Sequence, residues 1–114
     1  MIQGVGPIIY PVKDVDAAKK VFTALLGAEP FVDGPYYVGY QLGEQQVGLD
    51  PHGHKTGLTG PIVMYNVDDI KAALASLTEA GAQIVQEIKK VGGGALVASV
   101  RDSDGNDIGL MQAP

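Results

Sequence analysis

Three side chains of the types that bind divalent metal ions lie close together in the stretch DPHGH. They are Asp50, His52 and His54, and they include both histidines of the sequence. A two-residue spacing places both imidazole rings on one side of an extended segment, which is compatible with shared coordination. Pro51 and Gly53 supply no rigid frame for such a site, so a solvent-exposed histidine pair is the favoured interpretation.

The rest of the sequence offers no recognisable catalytic arrangement. It contains no cysteine nucleophile, no Ser-His-Asp spacing, no P-loop and no GxGxxG motif. Glu44, Glu79 and Glu87 fall in a predicted turn, on an exposed helix face and in a predicted strand, without an evident partner. The glycine-rich stretch VGGGAL leads into a strand and not into a helix N-terminus, where phosphate would bind. We therefore predict no catalytic residue.

The composition limits the possible partners. The chain has 114 residues, a formal net charge of −5 and no cysteine, so it fits one domain without disulfides. Its lysines and arginines form only short clusters, which would not neutralise a phosphate backbone, and we predict no nucleic acid partner. No segment approaches the roughly 20 apolar residues that span a bilayer, and no basic leader precedes an apolar run. We predict a cytoplasmic protein without a membrane partner.

Two stretches of the chain repeat the same order of features. GPIIYPVKDVDAA begins at Gly6 and GPIVMYNVDDIKAA begins at Gly60. In each copy a short apolar run predicts a strand buried on both faces, and an aspartate then marks the start of an amphipathic helix. The expected caps are Asp14 and Gly27 for the first helix, and Asp68 or Asp69 and Gly81 for the second.

The remaining segments complete two copies of one supersecondary unit. Each helix is followed by three strand-like runs, separated by turn signals such as Asp33-Gly34, Gly43-Glu44 and DSDGND. We predict an α+β fold of two tandem βαβββ modules within a single domain of residues 1–114. Module one covers about residues 1–50, a linker about 51–60, and module two about 61–114.

Two motifs in this arrangement resemble the vicinal oxygen chelate superfamily, which holds glyoxalase I, extradiol dioxygenases, fosfomycin-resistance enzymes and bleomycin-resistance binding proteins. VKDVDAAKKVFTALLG is similar to the family's first helix, and VRDSDGNDIGLMQ to its closing hairpin, with Ser103 where proline is usual. The resemblance covers essentially the whole chain and implies a curved mixed sheet with a cup-shaped pocket. Because the fold hosts isomerisation, oxygenation, thiol addition and sequestration, it does not fix an activity.

The resemblance also assigns positions to the ligands of the metal-using members, on the first and last strands of each module. In this sequence those positions hold Pro7, Pro61 or Ile62, Gly48 or Asp50, and Gly109. Proline, isoleucine and glycine have no side-chain atom that coordinates a cation, and one carboxylate does not make a site that needs about three or four converging ligands. We predict no metal ligand and no cofactor.

In the frame of this resemblance, strand alternation predicts an apolar cup. The residues directed into the cup are Pro7, Ile9, Pro11, Pro61, Val63, Tyr65, Gly109 and Met111. Those directed toward the helices are Ile8, Tyr10, Val12, Ile62, Met64, Ile108 and Leu110. Residues that could line or rim the cup are Phe31, Tyr36, Tyr37, Tyr40, Tyr65 and Arg101, with Tyr40 and Tyr65 favoured among the tyrosines, while Arg101 could equally pair with Asp102 or Asp104. The predicted ligand contacts are Ile9, Tyr40, Val63, Tyr65, Arg101 and Met111.

These observations predict a metal-independent, glyoxalase-like protein that binds and sequesters a small organic molecule, aromatic or cationic in character. It resembles the bleomycin-resistance proteins, and the resemblance implies a homodimer. The alternative is a metal-dependent lyase, isomerase or dioxygenase of the same superfamily that uses Asp50, His52 and His54. A third possibility is an accessory module whose cup is filled by its own side chains. Because the family's ligand positions hold no ligands, we lean against enzymatic activity.

Overall fold

The computed structural model describes residues 2–114, which form eight strands and two α-helices. The elements are β1 (Ile2–Pro11), α1 (Val15–Leu26), β2 (Val32–Asp33), β3 (Val38–Leu42), β4 (Gln45–Asp50), β5 (Ile62–Val67), α2 (Ile70–Glu79), β6 (Gln83–Lys90), β7 (Leu96–Arg101) and β8 (Asp107–Gln112). Two 3₁₀ turns cover Gly53–Thr56 and Gly92–Gly94. The order β-α-β-β-β occurs twice, which confirms the α+β class.

The chain divides into two compact units, and strand β1 contributes to both. Of the described residues, the first unit holds 7–62 and the second holds 2–6 with 63–114. Strands of the first unit follow the order β2-β3-β4-β1, and those of the second follow β1-β5-β8-β7-β6. Within each module the strand before the helix is parallel to the last strand, β1 to β4 and β5 to β8, whereas the hairpin neighbours are antiparallel. Each unit therefore contains a mixed sheet.

Both helices begin at an aspartate that accepts a hydrogen bond from a free amide of the first turn. The Asp14 carboxylate accepts from the Ala17 amide at 3.1 Å, and the Asp69 carboxylate accepts from the Ala72 amide at 3.1 Å. Of the two candidates for the second cap, the structure therefore selects Asp69. Gly27 ends α1 in the left-handed conformation, as predicted. Among residues 2–114, no helix has the length and apolar character needed to cross a membrane.

The core of the first unit lies between α1 and one face of its sheet. It is built from Val38, Tyr40, Val47 and Leu49, with Tyr10, Val12, Val15, Ala18, Phe22 and Leu26 packed against it. The apolar spacing in the first helix predicts one buried face made of Val15, Ala18, Phe22, Leu25 and Leu26. Leu25 departs from this prediction, because its side chain is 70% exposed. Leu26, which was also predicted for this face, is partly buried against the core because it lies one turn after Phe22 on the same side of α1.

The core of the second unit lies between α2 and strands β5, β7 and β8. Its buried members are Val67, Ile70, Ala73, Leu74, Ala98, Val100 and Leu110. The apolar spacing in the second helix predicts one face made of Ile70, Ala73, Leu74 and Leu77. This face is confirmed, since the first three are buried and Leu77 packs against them. In both units, alternation along the strands leaves a second face that no helix of that unit covers.

Candidate functional site

The ring of Tyr37 covers two glycines on the helix-free face of the first unit. Gly39 of β3 and Gly48 of β4 are paired across the strands, and both are buried. A β-carbon on Gly39 would lie 3.1 Å from Tyr37 Cε2, and one on Gly48 would collide with the Tyr37 hydroxyl. The neighbours Val38 and Tyr40 pack toward α1, so alternation places both glycines on the opposite face. The missing side chains of the two glycines make room for the phenol.

No hydrogen bond joins the Tyr37 hydroxyl to another residue among residues 2–114, and because no buried polar atom in this range lacks a partner, the hydroxyl is accessible to solvent. Burial raises the pKa of this phenol, and the nearby negative charge of Asp50 raises it further. The group therefore stays protonated at neutral pH. The Asp50 carboxylate itself accepts a hydrogen bond from the backbone amide of His52 at 2.8 Å, which holds the end of β4 in a turn.

Two exposed aromatic side chains lie near Tyr37 and the turn that follows Asp50. Tyr36 is 75% exposed, and its ring centroid lies 5.8 Å from that of His52. Phe31 is 56% exposed, and its ring lies beside that of Tyr37 over Gly39. We call the set Phe31, Tyr36, Tyr37, Asp50 and His52 the aromatic patch. It offers flat apolar surface, one carboxylate and the Tyr37 hydroxyl.

In the second unit, the side chain of Met64 covers Gly109 in a similar way. Gly109 of β8 pairs with Met64 of β5, and a β-carbon on Gly109 would collide with the Met64 sulfur. Met64 is itself buried, at 7% exposure. Its flexible thioether occupies the space that a longer side chain at position 109 would need.

The predicted parity of β5 is wrong. Tyr65 and Val67 pack with the core under α2, so Val63, which shares their parity, also lies on the helix side. Ile62 and Met64 were predicted to face α2 and instead lie on the opposite face, together with Gly109. The sequence could not fix this register, because the segment before β5 has no periodicity and a shift of one residue exchanges the two faces.

Tyr40 and Arg101, which were predicted to contact the ligand, form hydrogen bonds with other residues of the protein. Tyr40 has no exposed surface, and its hydroxyl lies 2.9 Å from Thr23 Oγ1 and donates to the Lys19 carbonyl at 3.3 Å. Tyr40 therefore fills the core beneath α1 instead of the helix-free face. Arg101 Nε donates to the Asp107 carboxylate at 2.9 Å, and Asp107 is its cross-strand partner. The salt bridge that was expected with Asp102 or Asp104 forms with Asp107.

Ile9 and Met111 lie on the helix-free faces that alternation assigned to them. Ile9 is paired in register with Gly48, and the neighbouring Tyr10 packs toward α1. Met111 follows the buried, helix-facing Leu110 and pairs with Val97. Both side chains are partly exposed. The role of these residues in ligand contact stays a prediction.

The side chains at the family's ligand positions do not fit a metal ion. Pro7 and Ile62 are buried and have no donor atom, while Gly48 and Gly109 are covered by a phenol and a thioether. The alternative set of Asp50, His52 and His54 does not converge either. No group of three or more His, Asp or Glu side chains within residues 2–114 is placed to hold a cation.

Comparison with known proteins places the chain in a family. A family model described as "Glyoxalase/Bleomycin resistance protein/Dioxygenase superfamily" matches residues 4–110. The chain belongs to this superfamily. A search of curated protein sequences returned no match.

Several solved structures are similar to this chain over nearly its whole length. A glyoxalase/bleomycin resistance protein/dioxygenase superfamily member from Vibrio splendidus is 19% identical, with a TM-score of 0.73 and coverage of 98% of this chain and 99% of that chain. A protein described as an NAD-dependent benzaldehyde dehydrogenase from Legionella pneumophila is 12% identical, with a TM-score of 0.76 and coverage of 95% and 98%. A Streptomyces coelicolor methylmalonyl-CoA epimerase variant in complex with 2-nitronate-propionyl-CoA is 14% identical, with a TM-score of 0.74 and coverage of 99% and 96%. At these identities the likeness shows the fold alone.

The sequence favoured Tyr40 over Tyr37 as a ligand contact, whereas the structure buries Tyr40 in the core and places Tyr37 on the helix-free face. The signal that could have found Tyr37 is the glycine spacing, since two buried strands each carry a glycine at the same pairing position, Gly39 and Gly48. Glycine inside a strand often marks the close approach of another group. Met64 has the same kind of signal in Gly109.

Proposed function

We propose that this chain binds a small organic molecule without a metal ion and acts by sequestering it. One observation carries the proposal. At Gly48 and Gly109, where metal-using relatives would carry ligands, this chain has glycines whose side-chain space is filled by Tyr37 and Met64. A cation would lack donors at these positions and would also have to displace both covering groups.

The aromatic patch supports an aromatic or cationic ligand. Tyr36 and Phe31 expose large ring surfaces, which stack on planar molecules and attract cations through their π faces. Asp50 adds a negative charge beside them, and Tyr37 adds a protonated hydroxyl that donates to a ligand acceptor. The net charge of −5 favours the approach of a cation over that of an anion.

The absence of metal dependence can be tested directly. The protein is purified without an affinity tag or chelator, and its content of Zn, Ni, Mn and Fe is measured by elemental analysis. We expect well below one metal ion per chain. A stoichiometric metal that disappears in a His52→Ala/His54→Ala variant would overturn the proposal and establish the alternative, a metal-dependent lyase, isomerase or dioxygenase built on Asp50, His52 and His54.

Ligand binding is tested by thermal shift against planar cationic antibiotics and small aromatic metabolites. A ligand present at 100 times its dissociation constant should stabilise the protein by about 2.7 kcal/mol. Asp50→Asn and Tyr36→Ala should reduce this stabilisation, whereas Asp68→Asn, a change at an exposed aspartate of the second unit, should not. No shift across a broad panel would favour the accessory module with a filled cup.

We also propose that residues 1–114 form a single cytoplasmic domain that assembles as a homodimer, as the resemblance implies. The boundary between the two compact units falls at Ile62 and Val63, near the end of the predicted linker. Light scattering should give twice the chain mass of 11.9 kDa. Calorimetry should show one cooperative unfolding transition, and two separated transitions would contradict a single domain.

A further inference from the structure

An apolar cavity lies between α2 and the sheet of the second unit. Its volume is about 270 Å³. The cavity is lined by Tyr65 and Val67 of β5, Ala73 and Leu77 of α2, and Ile108 and Leu110 of β8. Ile2 of β1 completes the lining, and because Ile2 is 61% exposed this side of the cavity lies next to solvent.

The lining determines what the cavity can hold. None of its side chains is charged, and Tyr65 is the one lining residue with a polar side-chain atom. An enclosed apolar cavity of about 150 Å³ is large enough for benzene, and this one differs in having one side next to solvent, through which a ligand can enter. A charged molecule would lose its hydration without gaining a partner. The larger volume here therefore suits a neutral molecule of one or two rings.

We infer that this cavity is a binding site for a small neutral aromatic molecule, which packs against Ala73 and Leu77 and reaches the Tyr65 hydroxyl with one polar atom. The site is independent of the proposed function. It lies on the α2 side of β5, whereas the aromatic patch belongs entirely to the first unit. Failure of either proposal therefore leaves the other standing.

Methyl NMR on the full chain tests the site with indole and naphthalene as probes. Titration should shift the methyl signals of Ile2, Leu77, Ile108 and Leu110, and leave those of Val38 and Leu49 in the core of the first unit unchanged. Benzamidine, a charged ring of similar size, should cause no shift at the same methyl groups. Absence of shifts with both neutral probes, or shifts confined to other residues, would overturn the inference.

A cavity-filling variant supplies the matched control. Ala73 is buried and lines the cavity, whereas Ala75 is exposed on the same helix. Ala73→Leu should weaken indole binding at least tenfold, and Ala75→Leu should leave it within twofold of the wild type. If Ala73→Leu does not fold, Ala73→Val fills less of the space and should still weaken binding several-fold. Unchanged affinity in a folded Ala73 variant would contradict the site.

Discussion

The phenol of Tyr37 rests directly on the backbone of Gly48, on the strand after the one that follows Tyr37 in sequence. No side chain larger than hydrogen fits at position 48 while this contact persists. On the helix-free face of the first unit, the Tyr37 ring therefore occupies the space that a side chain at position 48 would fill.

Gly48→Ala should destabilise the protein by about 1–3 kcal/mol, since the added methyl group forces the phenol or the strand to move. Chemical denaturation measures the change. Gly60→Ala is the matched control, because nothing lies within 4 Å of a β-carbon there. In a Tyr37→Ala background the cost of Gly48→Ala should shrink. Equal costs with and without the tyrosine ring would show that the contact is not the cause.

The raised pKa of Tyr37 gives a pH dependence at the alkaline end. The folded-state pKa lies above the ordinary value of about 10, so the contribution of this group to stability is present below that pH and is lost as pH rises through the folded pKa. Denaturation midpoints between pH 8 and pH 11 should therefore fall less steeply for Tyr37→Phe than for the wild type. An identical slope for Tyr37→Phe would refute the assignment.

Tyr40→Phe should cost about 1 kcal/mol of unfolding free energy, because it removes a hydroxyl that bonds to Thr23 and Lys19 beneath α1. Ligand binding at the aromatic patch should be unchanged, because Tyr40 has no exposed surface. Urea denaturation and the thermal-shift screen measure the two effects. If Tyr40→Phe kept normal stability but lost ligand binding, Tyr40 would be a ligand contact and the structural role would be wrong.

Asp69→Ala should lower stability by about 0.5–2 kcal/mol through loss of the cap on α2. Asp68→Ala is the internal control, since the neighbouring carboxylate is exposed and does not cap the helix. Denaturation of the two variants under the same conditions decides the point. Equal losses would mean that the two aspartates share the cap.

Local signals made the elements predictable, whereas the site required long-range information. The ends of α1 at Asp14 and Gly27 could be predicted, because helix capping depends on residues that are close in sequence. The faces of β5 depend on its register with β8, which no local pattern encodes, so Tyr65 and Met64 were assigned to the wrong sides. Tyr37 precedes its strand, and its contact with Gly48 arises only once β3 and β4 pair.

The contact between Met64 and Gly109 couples the substitutions that each position can accept. Because Met64 fills the space beside Gly109, a single change to glutamate there would collide with the sulfur, and loss of the methionine alone would leave a void. The two positions are thus epistatic, because a side chain at position 109 is tolerated only as far as the Met64 thioether can move aside.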